Sequence, residues 1–355
     1  MRCRHCSRPP DHCAARQRGA ALIVAMLVFA LAAALVVAMK SEFTRFYQRN
    51  ANILMDEQAQ AFLRGAEDLA GIVLQADYDQ DKTKGVARDD LQEDWNKSGT
   101  FPLENIGWMR GVVEDLQGRF NLNALASKVP PAVPPGSGAT GTPARFTAAQ
   151  EQFIRLLQAL GEPQVSEQQA IQITESVSDW LDADANPNMD GAEDDYYSAQ
   201  DPPYRTANRP MASVSEIRAV ANMTPAIYQA LLGCACVTVW PQVPGKLNIH
   251  TAPAMVLRSI NADRDLSPLS EAEGESLEEE RADKGFENIN TFIANAVFQG
   301  KQERMKDIQK LLGQDSSYFL VQAEVEVAGR NTRLYSVLER HNRKISAIVR
   351  ASGSL

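Results

Sequence analysis

The chain has 355 residues, 44% of them hydrophobic, and a net charge of −9. That length gives room for about two or three modest units, and so acidic a balance disfavours nucleic acid or an anionic surface as the partner of its bulk. Five arginines against Asp11 make the first 19 residues basic, so the remainder is more acidic still.

Cys3, Cys6 and Cys13 lie near the N-terminus with His5 and His12. Their spacing is irregular, whereas a zinc site needs four fixed ligands, so no metal knuckle is expected. Arg16 to Gly19 (RQRG) then meets an apolar run, Ala20 to Met39, without charge or proline. A helix of that length spans about 30 Å, the thickness of a bilayer core. Arg16 and Arg18 favour a cytoplasmic N-terminus, a bias that Lys40, Arg45 and Arg49 weaken. Beyond Met39 the pattern becomes amphipathic: Phe43, Phe46, Tyr47, Ile53, Leu54, Ala61, Phe62, Ala66, Leu69, Ile72 and Val73. With no Gly or Pro before Gly65, one long helix is expected to leave the membrane and lay a stripe on a soluble domain.

A basic stretch ending in Gly against a retained apolar segment resembles the plan of type IV pilins and type II secretion pseudopilins. An ordinary secretory signal is cut after its apolar core instead. The resemblance implies a leader of residues 1–19, cleavage by a prepilin peptidase between Gly19 and Ala20, and N-methylation of Ala20. Most such proteins carry glutamate at the fifth mature position, which here is Val24. The missing glutamate resembles one class in particular, GspK, the large minor pseudopilin.

Residues 77–104 read as an irregular polar loop in which Asp77, Asp79 and Asp81 alternate. No closing carboxylate follows at a calcium-loop distance, so solvation is the expected state. Trp108 to Asn123 reads as a hairpin turning at Gln117-Gly118, with Phe120 and Leu122 alternating against Arg119 and Asn121. Its DLQGRFNLN is similar to GspK. Val129 to Pro143 is a Pro/Gly/Ser linker. Short helices follow, started by Thr147 with Gln150, Ser166 with Gln169, Ser213 with Glu216, and Thr224 ahead of Pro225.

Residues 178–210 form the most charged loop. Asp182, Asp184, Asn186 and Glu193 occupy positions 1, 3, 5 and 12 of an EF-hand loop. Pro187 stands where that loop needs Gly, so a true EF-hand is not expected. Carboxylates and amides without Cys or His suit a hard cation, yet composition alone leaves a merely solvated loop equally open. WLDADANPNMDGAEDDYY followed by PPYRTAN also resembles GspK. That resemblance implies a calcium site formed by Asp182, Asp184, Asn186, Glu193 and Asp194.

Cys234 and Cys236 stand two apart, too far for a bridge in an extended strand unless a tight turn intervenes; their state is open. Lys246 to Ile260 reads as a strand entering a helix with Thr251 as N-cap. It resembles the family's N-x-N-T-A element with His250 replacing the second Asn; a structural role for His250 is expected, because no partner acid or nucleophile stands near it. Residues 263–287 are acidic, Ile289 to Val297 and Met305 to Leu312 helical. The end reads as a β meander over 318–327, 332–340 and 344–349.

The resemblance implies an α/β pilin-like fold: a long N-terminal helix on an antiparallel sheet, with a mainly α-helical insertion over 126–315 and closing strands over 316–355. It implies a tip-capping minor pseudopilin that assembles with GspI- and GspJ-type subunits, joined through a GspH-type subunit to the major pseudopilin, anchored once in the inner membrane with its bulk periplasmic. The residues agree with a cap. A glutamate in the bilayer is costly unless it pairs with a neighbour's amino-terminal charge, and Val24 cannot make that pair. A membrane-anchored protein with a helical DNA- or protein-binding module is the alternative, and the acidic balance opposes nucleic acid. An enzyme is not expected: no H-E-x-x-H, G-x-S-x-G or P-loop is present.

Overall fold

The computed structural model describes residues 19–104, 106–128 and 144–353. The residues expected to form a basic leader, up to Arg18, and those expected to form a linker, Val129 to Pro143, lie outside the described residues. The chain divides into two compact units, Met1–Ala59 and Gln60–Leu355.

The apolar run and the amphipathic stretch after it form a single helix, α1 (Ala20–Lys84), long and apolar enough to cross a membrane. It extends well into the region that reads as a polar loop. Asp77 is not solvated there but turned inward to Arg340, and Gly85, at φ 72°, ends the helix in the left-handed conformation that glycine adopts freely. The buried stripe also differs from the expected one. Leu63, Ala66, Ala70 and Leu74 are buried, whereas Leu69 and Ile72 are exposed, as are Phe43, Phe46, Tyr47, Ile53 and Leu54 in the first unit. The alanines explain the shift: small residues let a helix backbone approach a sheet closely, so packing selected them over the larger side chains.

After α1 come β1 (Gly99–Leu103), β2 (Gly107–Asp115) and β3 (Phe120–Asn121). The helical part follows: α2 (Ala148–Ala159), α3 (Glu167–Leu181), α4 (Asp194–Ser198), α5 (Pro225–Gly233), β4 (Val237–Thr238), β5 (Leu247–Asn248), α6 (Ala254–Arg258), α7 (Glu271–Asp283), α8 (Ile289–Ile293), α9 (Lys306–Lys310) and β6 (Leu312–Gly313). Three long strands close the chain: β7 (Tyr318–Val327), β8 (Arg330–His341) and β9 (Lys344–Ala351).

The main sheet is five-stranded and antiparallel, in the order β1-β2-β7-β8-β9. It corrects the hairpin expected over Trp108–Asn123. β2 already has β1 on one edge and β7 on the other, with Gly107 opposite Val327 and Asp115 opposite Phe319, so no edge remains for β3. The chain turns out of the sheet instead. Asp115 Oδ1 accepts from the Gln117 amide at 2.7 Å, and a Cβ on Gly118 would lie 2.5 Å from Thr251 Oγ1. β3 then pairs in parallel with β4.

Alternation along β7 gives the sheet two covered faces. On one, Ala70 and Leu74 of α1 pack with Trp95, Val113, Phe319, Val321 and Leu338. On the other, Leu116, Leu320 and Val337 meet Trp240. A separate core fills the helical part around Phe153, Leu156, Leu157, Ile173 and Val177, with Phe153 stacked on Phe120 at 5.1 Å.

Local signals in the helical part behave as read. Thr147 and Ser213 make reciprocal capping boxes with Gln150 and Glu216, although the turn that Ser213 opens is 3₁₀. Thr224 caps α5 with Pro225 at its first position. Thr251 is not an N-cap: Pro253 precedes α6, and the Thr251 hydroxyl donates to Asp115 Oδ2 at 2.5 Å. Cys234 and Cys236 are joined by a disulfide, the tight turn being supplied by Ala235 at φ 51°. His250 is buried, and burial pushes its pKa down to about 4, so it is a neutral core residue whose amide donates to Asn248 Oδ1.

Candidate metal centre

The acidic loop starts where α3 stops. Asp182 caps α3, its amide donating to Ser178 O, and its Oδ1 accepts from the Asp184 amide at 3.1 Å. Asp184 Oδ1 in turn accepts from the Asn186 amide at 3.0 Å and from its side-chain nitrogen at 3.1 Å. Each acid thus folds the backbone two residues ahead of itself, the local preference that makes Asp and Asn turn formers.

Glu193 precedes α4 and is buried. The loop reaches it through a floor laid by α3. Asp179 is fully buried and accepts from the Asn188 amide and side chain, at 3.1 and 2.5 Å. Burial pushes the Asp179 carboxyl up to about 7. Glu175 Oε2 accepts from the Asp190 amide at 2.6 Å, and Arg145 bridges Glu175 and Asp190. Gly191 crosses this floor so closely that a Cβ would lie 2.0 Å from Asp179 Oδ2. Behind the loop, Trp180, Tyr197 and Tyr204 form an aromatic wall; Tyr204 donates to Ala219 O, and Tyr197 Oη accepts from the Ala221 amide.

The arrangement brings together carboxylate oxygens of Asp182, Asp184 and Glu193, all within 4.8 Å of one another. Among the described residues, two of its buried oxygens, Asp182 Oδ2 and Glu193 Oε1, have no hydrogen bond, although the Lys128 ammonium lies 3.3 Å from the first. Buried carboxylate oxygens are ordinarily satisfied, and leaving them bare is costly. Burial, and then the charge of Asp182, raise the Glu193 pKa, while the Lys128 ammonium bonded to Asp184 lowers that of Asp184.

The other two expected ligands sit differently. Asn186 adjoins the trio through its bonds to Asp184. Asp194 Oδ1 is held by the amide and hydroxyl of Thr206, at 3.0 and 2.8 Å. The same hydroxyl lies 3.3 Å from Glu193 Oε2, so its one hydrogen, given to Asp194 over the shorter distance, is shared at most weakly with Glu193. The sequence reading missed Thr206, Asp179, Gly191 and Lys128; only Gly191, set in the MDGAED run, carries a local signal. At the other end of the chain, Gly19 lies at the turn before α1, Ala20 is its first residue, and Val24 is exposed within its first turns.

Hard oxygen donors, mutual proximity and two unsatisfied buried oxygens fit a divalent cation of the calcium type. A second acidic cluster, Asp77, Asp89 and Glu93, does not offer the same opening, because the Arg340 guanidinium already lies among its carboxylates.

One long apolar helix, an antiparallel sheet and a helical region define a pilin-like α/β protein. Residues 118–242 and 247–313 match the family described as Type II secretion system (T2SS), protein K. The chain is 30% identical to Type II secretion system protein K of Klebsiella pneumoniae, covering 95% of this chain and 97% of the relative. It is 32% identical to the protein of that name from Pseudomonas aeruginosa, covering 95% and 93%. In structure it is similar to a chain of the solved GspK-GspI-GspJ complex from the enterotoxigenic Escherichia coli Type 2 Secretion System, with TM-score 0.70 and 26% identity over 86% of this chain and 100% of that one. The chain belongs to the type II secretion system protein K family, the GspK minor pseudopilins. That family is a structural component of a secretion system.

Proposed function

We propose that this chain caps the tip of a type II secretion pseudopilus, assembling with GspI- and GspJ-type subunits, and through a GspH-type subunit with the major pseudopilin, to initiate the fibre and support export of folded proteins. The observation that carries the reading is the likeness, over the whole of that chain, to a member of the GspK-GspI-GspJ complex. The exposed apolar residues of α1, from Phe43 to Leu54 and again at Leu69 and Ile72, are a surface for pairing with helices of other subunits. Val24 removes the intramembrane glutamate through which a shaft subunit pairs with its neighbour. The role is structural, not enzymatic.

In this reading a prepilin peptidase cuts between Gly19 and Ala20, Ala20 is N-methylated, and the N-terminus faces the cytoplasm while the bulk is periplasmic. The acidic loop holds calcium through Asp182, Asp184 and Glu193, with Asn186 and Asp194 beside them. The ion supplies positive charge to carboxylates that otherwise repel one another. The chain's own residues do the rest: Thr206 holds Asp194 through its amide and hydroxyl, the turns at Asp182 and Asp184 set the loop, and the buried Trp180 and Tyr197 pack edge-on beside it.

Immunogold labelling of sheared pseudopili tests the cap: label belongs at one end, and label along the shaft refutes it. The same membrane-extracted protein should yield a mass that begins at Ala20; a chain beginning near Lys40 refutes the leader assignment.

A further inference from the structure

Among the described residues, the ion-pair partner of the candidate metal trio is a single side chain, Lys128. Its ammonium hydrogen-bonds Asp184 Oδ2 and lies 3.3 Å from Asp182 Oδ2, one of the two oxygens left without a hydrogen bond. It comes from outside the loop, beyond the 3₁₀ turn Leu122–Ala126, and its side chain is 54% exposed. Glu193 Oε1, buried and without a hydrogen bond or ion pair among the described residues, completes the group.

We propose that Lys128 is the built-in counter-ion of this site and competes with calcium for Asp182 and Asp184, so that it sets how tightly the ion is held. The proposal rests on the reading of the loop as a calcium site. An ammonium and a divalent cation on the same carboxylates repel each other, so binding of one favours release of the other. A half-exposed lysine on a flexible stem moves into water at small cost. Without the ion Lys128 limits carboxylate repulsion and keeps the loop folded; with it, the ammonium leaves.

Equilibrium dialysis of the full chain in detergent against radioactive calcium reads the competition. K128Q should bind calcium roughly three- to tenfold more tightly than the wild type, the size set by loss of one partly exposed ion pair together with cation repulsion. K128R, which keeps the charge, should stay at wild-type affinity. K97Q removes the same charge from an exposed pair with Asp94 elsewhere and should change nothing. Amine acetylation gives a second readout: calcium should speed modification of Lys128 in the wild type several-fold over chelator. Equal affinity of wild type and K128Q, or Lys128 labelling that calcium does not speed, overturns the competition while leaving the calcium reading intact. Failure of both proteins to bind calcium overturns both.

Discussion

Arg340 holds the sheet, α1 and the loop after α1 together, and replacing it with methionine removes the charge while keeping most of the stem. The guanidinium donates to Asp77 Oδ2 at 3.0 Å, to both oxygens of Asp89 at 2.6 and 2.5 Å, and to Ser316 O at 2.7 Å, and it lies 4.9 Å from the centre of the Phe319 ring. The three charged side chains are at most 7% exposed. Removing one member of such a buried group strands the others and costs about 3–5 kcal/mol, a large part of the roughly 5–15 kcal/mol that holds a domain folded.

The cost depends on pH, with a definite sign. Burial raises the Asp77 carboxyl and pushes Asp89 up to about 8, against the downward pull of Arg340. Both folded values therefore exceed the unfolded value of about 3.9. The folded state binds more protons in between, so stability falls as pH rises toward the folded pKa. Without the guanidinium both values rise further. Below about pH 8 Asp89 is mostly protonated with or without Arg340, so the loss in Arg340→Met should be smaller near pH 6 and grow as pH rises past 8, where the wild type ionises Asp89 against the guanidinium and the variant does not. Urea unfolding followed by tryptophan fluorescence reads it, since Trp95 packs edge-on against Phe319 at 5.4 Å. A loss below about 1 kcal/mol near pH 9, the level of an ordinary surface pair, or an equal loss near pH 6 and near pH 9 would refute the assignment.

Calcium should raise the melting temperature of the wild type by mass action, worth about 2.7 kcal/mol at a hundredfold excess over Kd, and Glu193→Ala should abolish the rise while leaving the chelated protein folded. Gly191→Ala should cost about 1–3 kcal/mol in thermal unfolding, because the new methyl must displace the buried Asp179 carboxylate or the backbone beneath it. Phe153→Ala, deleting a fully buried ring stacked on Phe120, should cost about 3–5 kcal/mol in the same assay.

Local features were legible in the sequence and distant ones were not. The caps at Thr147, Ser213 and Thr224 are set by residues within four positions, and the meander by alternation along each strand. The position of β3 was hidden, because its partner is chosen by which edges remain free after β1 and β7 have flanked β2. The stripe of α1 was misjudged for a related reason: hydrophobicity ranks Ile72 above Ala70, whereas close helix-to-sheet packing ranks them the other way. In the acidic loop the EF-hand-like spacing brought out Asp182, Asp184 and Glu193, which do converge. It could not bring out Lys128, whose partner Asp184 is 56 positions away, nor Arg340, 251 positions from Asp89.

Those two cations explain why similar acidic clusters differ in what they can do. Both clusters hold three carboxylates near one another, and both would repel without positive charge. At Asp77, Asp89 and Glu93 the charge is a guanidinium with its side chain 7% exposed, itself bonded to a backbone carbonyl and lying over an aromatic ring. Its departure would leave Asp77, Asp89 and the Ser316 carbonyl buried without their shared donor, so this cluster is a fixed joint between α1 and the sheet. At Asp182, Asp184 and Glu193 the charge is an ammonium half in water that satisfies neither Asp182 Oδ2 nor Glu193 Oε1 with a hydrogen bond. A small divalent ion can reach several oxygens at once, where a lysine at the rim reaches two of the three acids. Exchangeability thus follows from how the counter-charge is held rather than from the number of acids, and under the proposed calcium reading it makes the loop, not the joint, the place where an external cation acts on the fold.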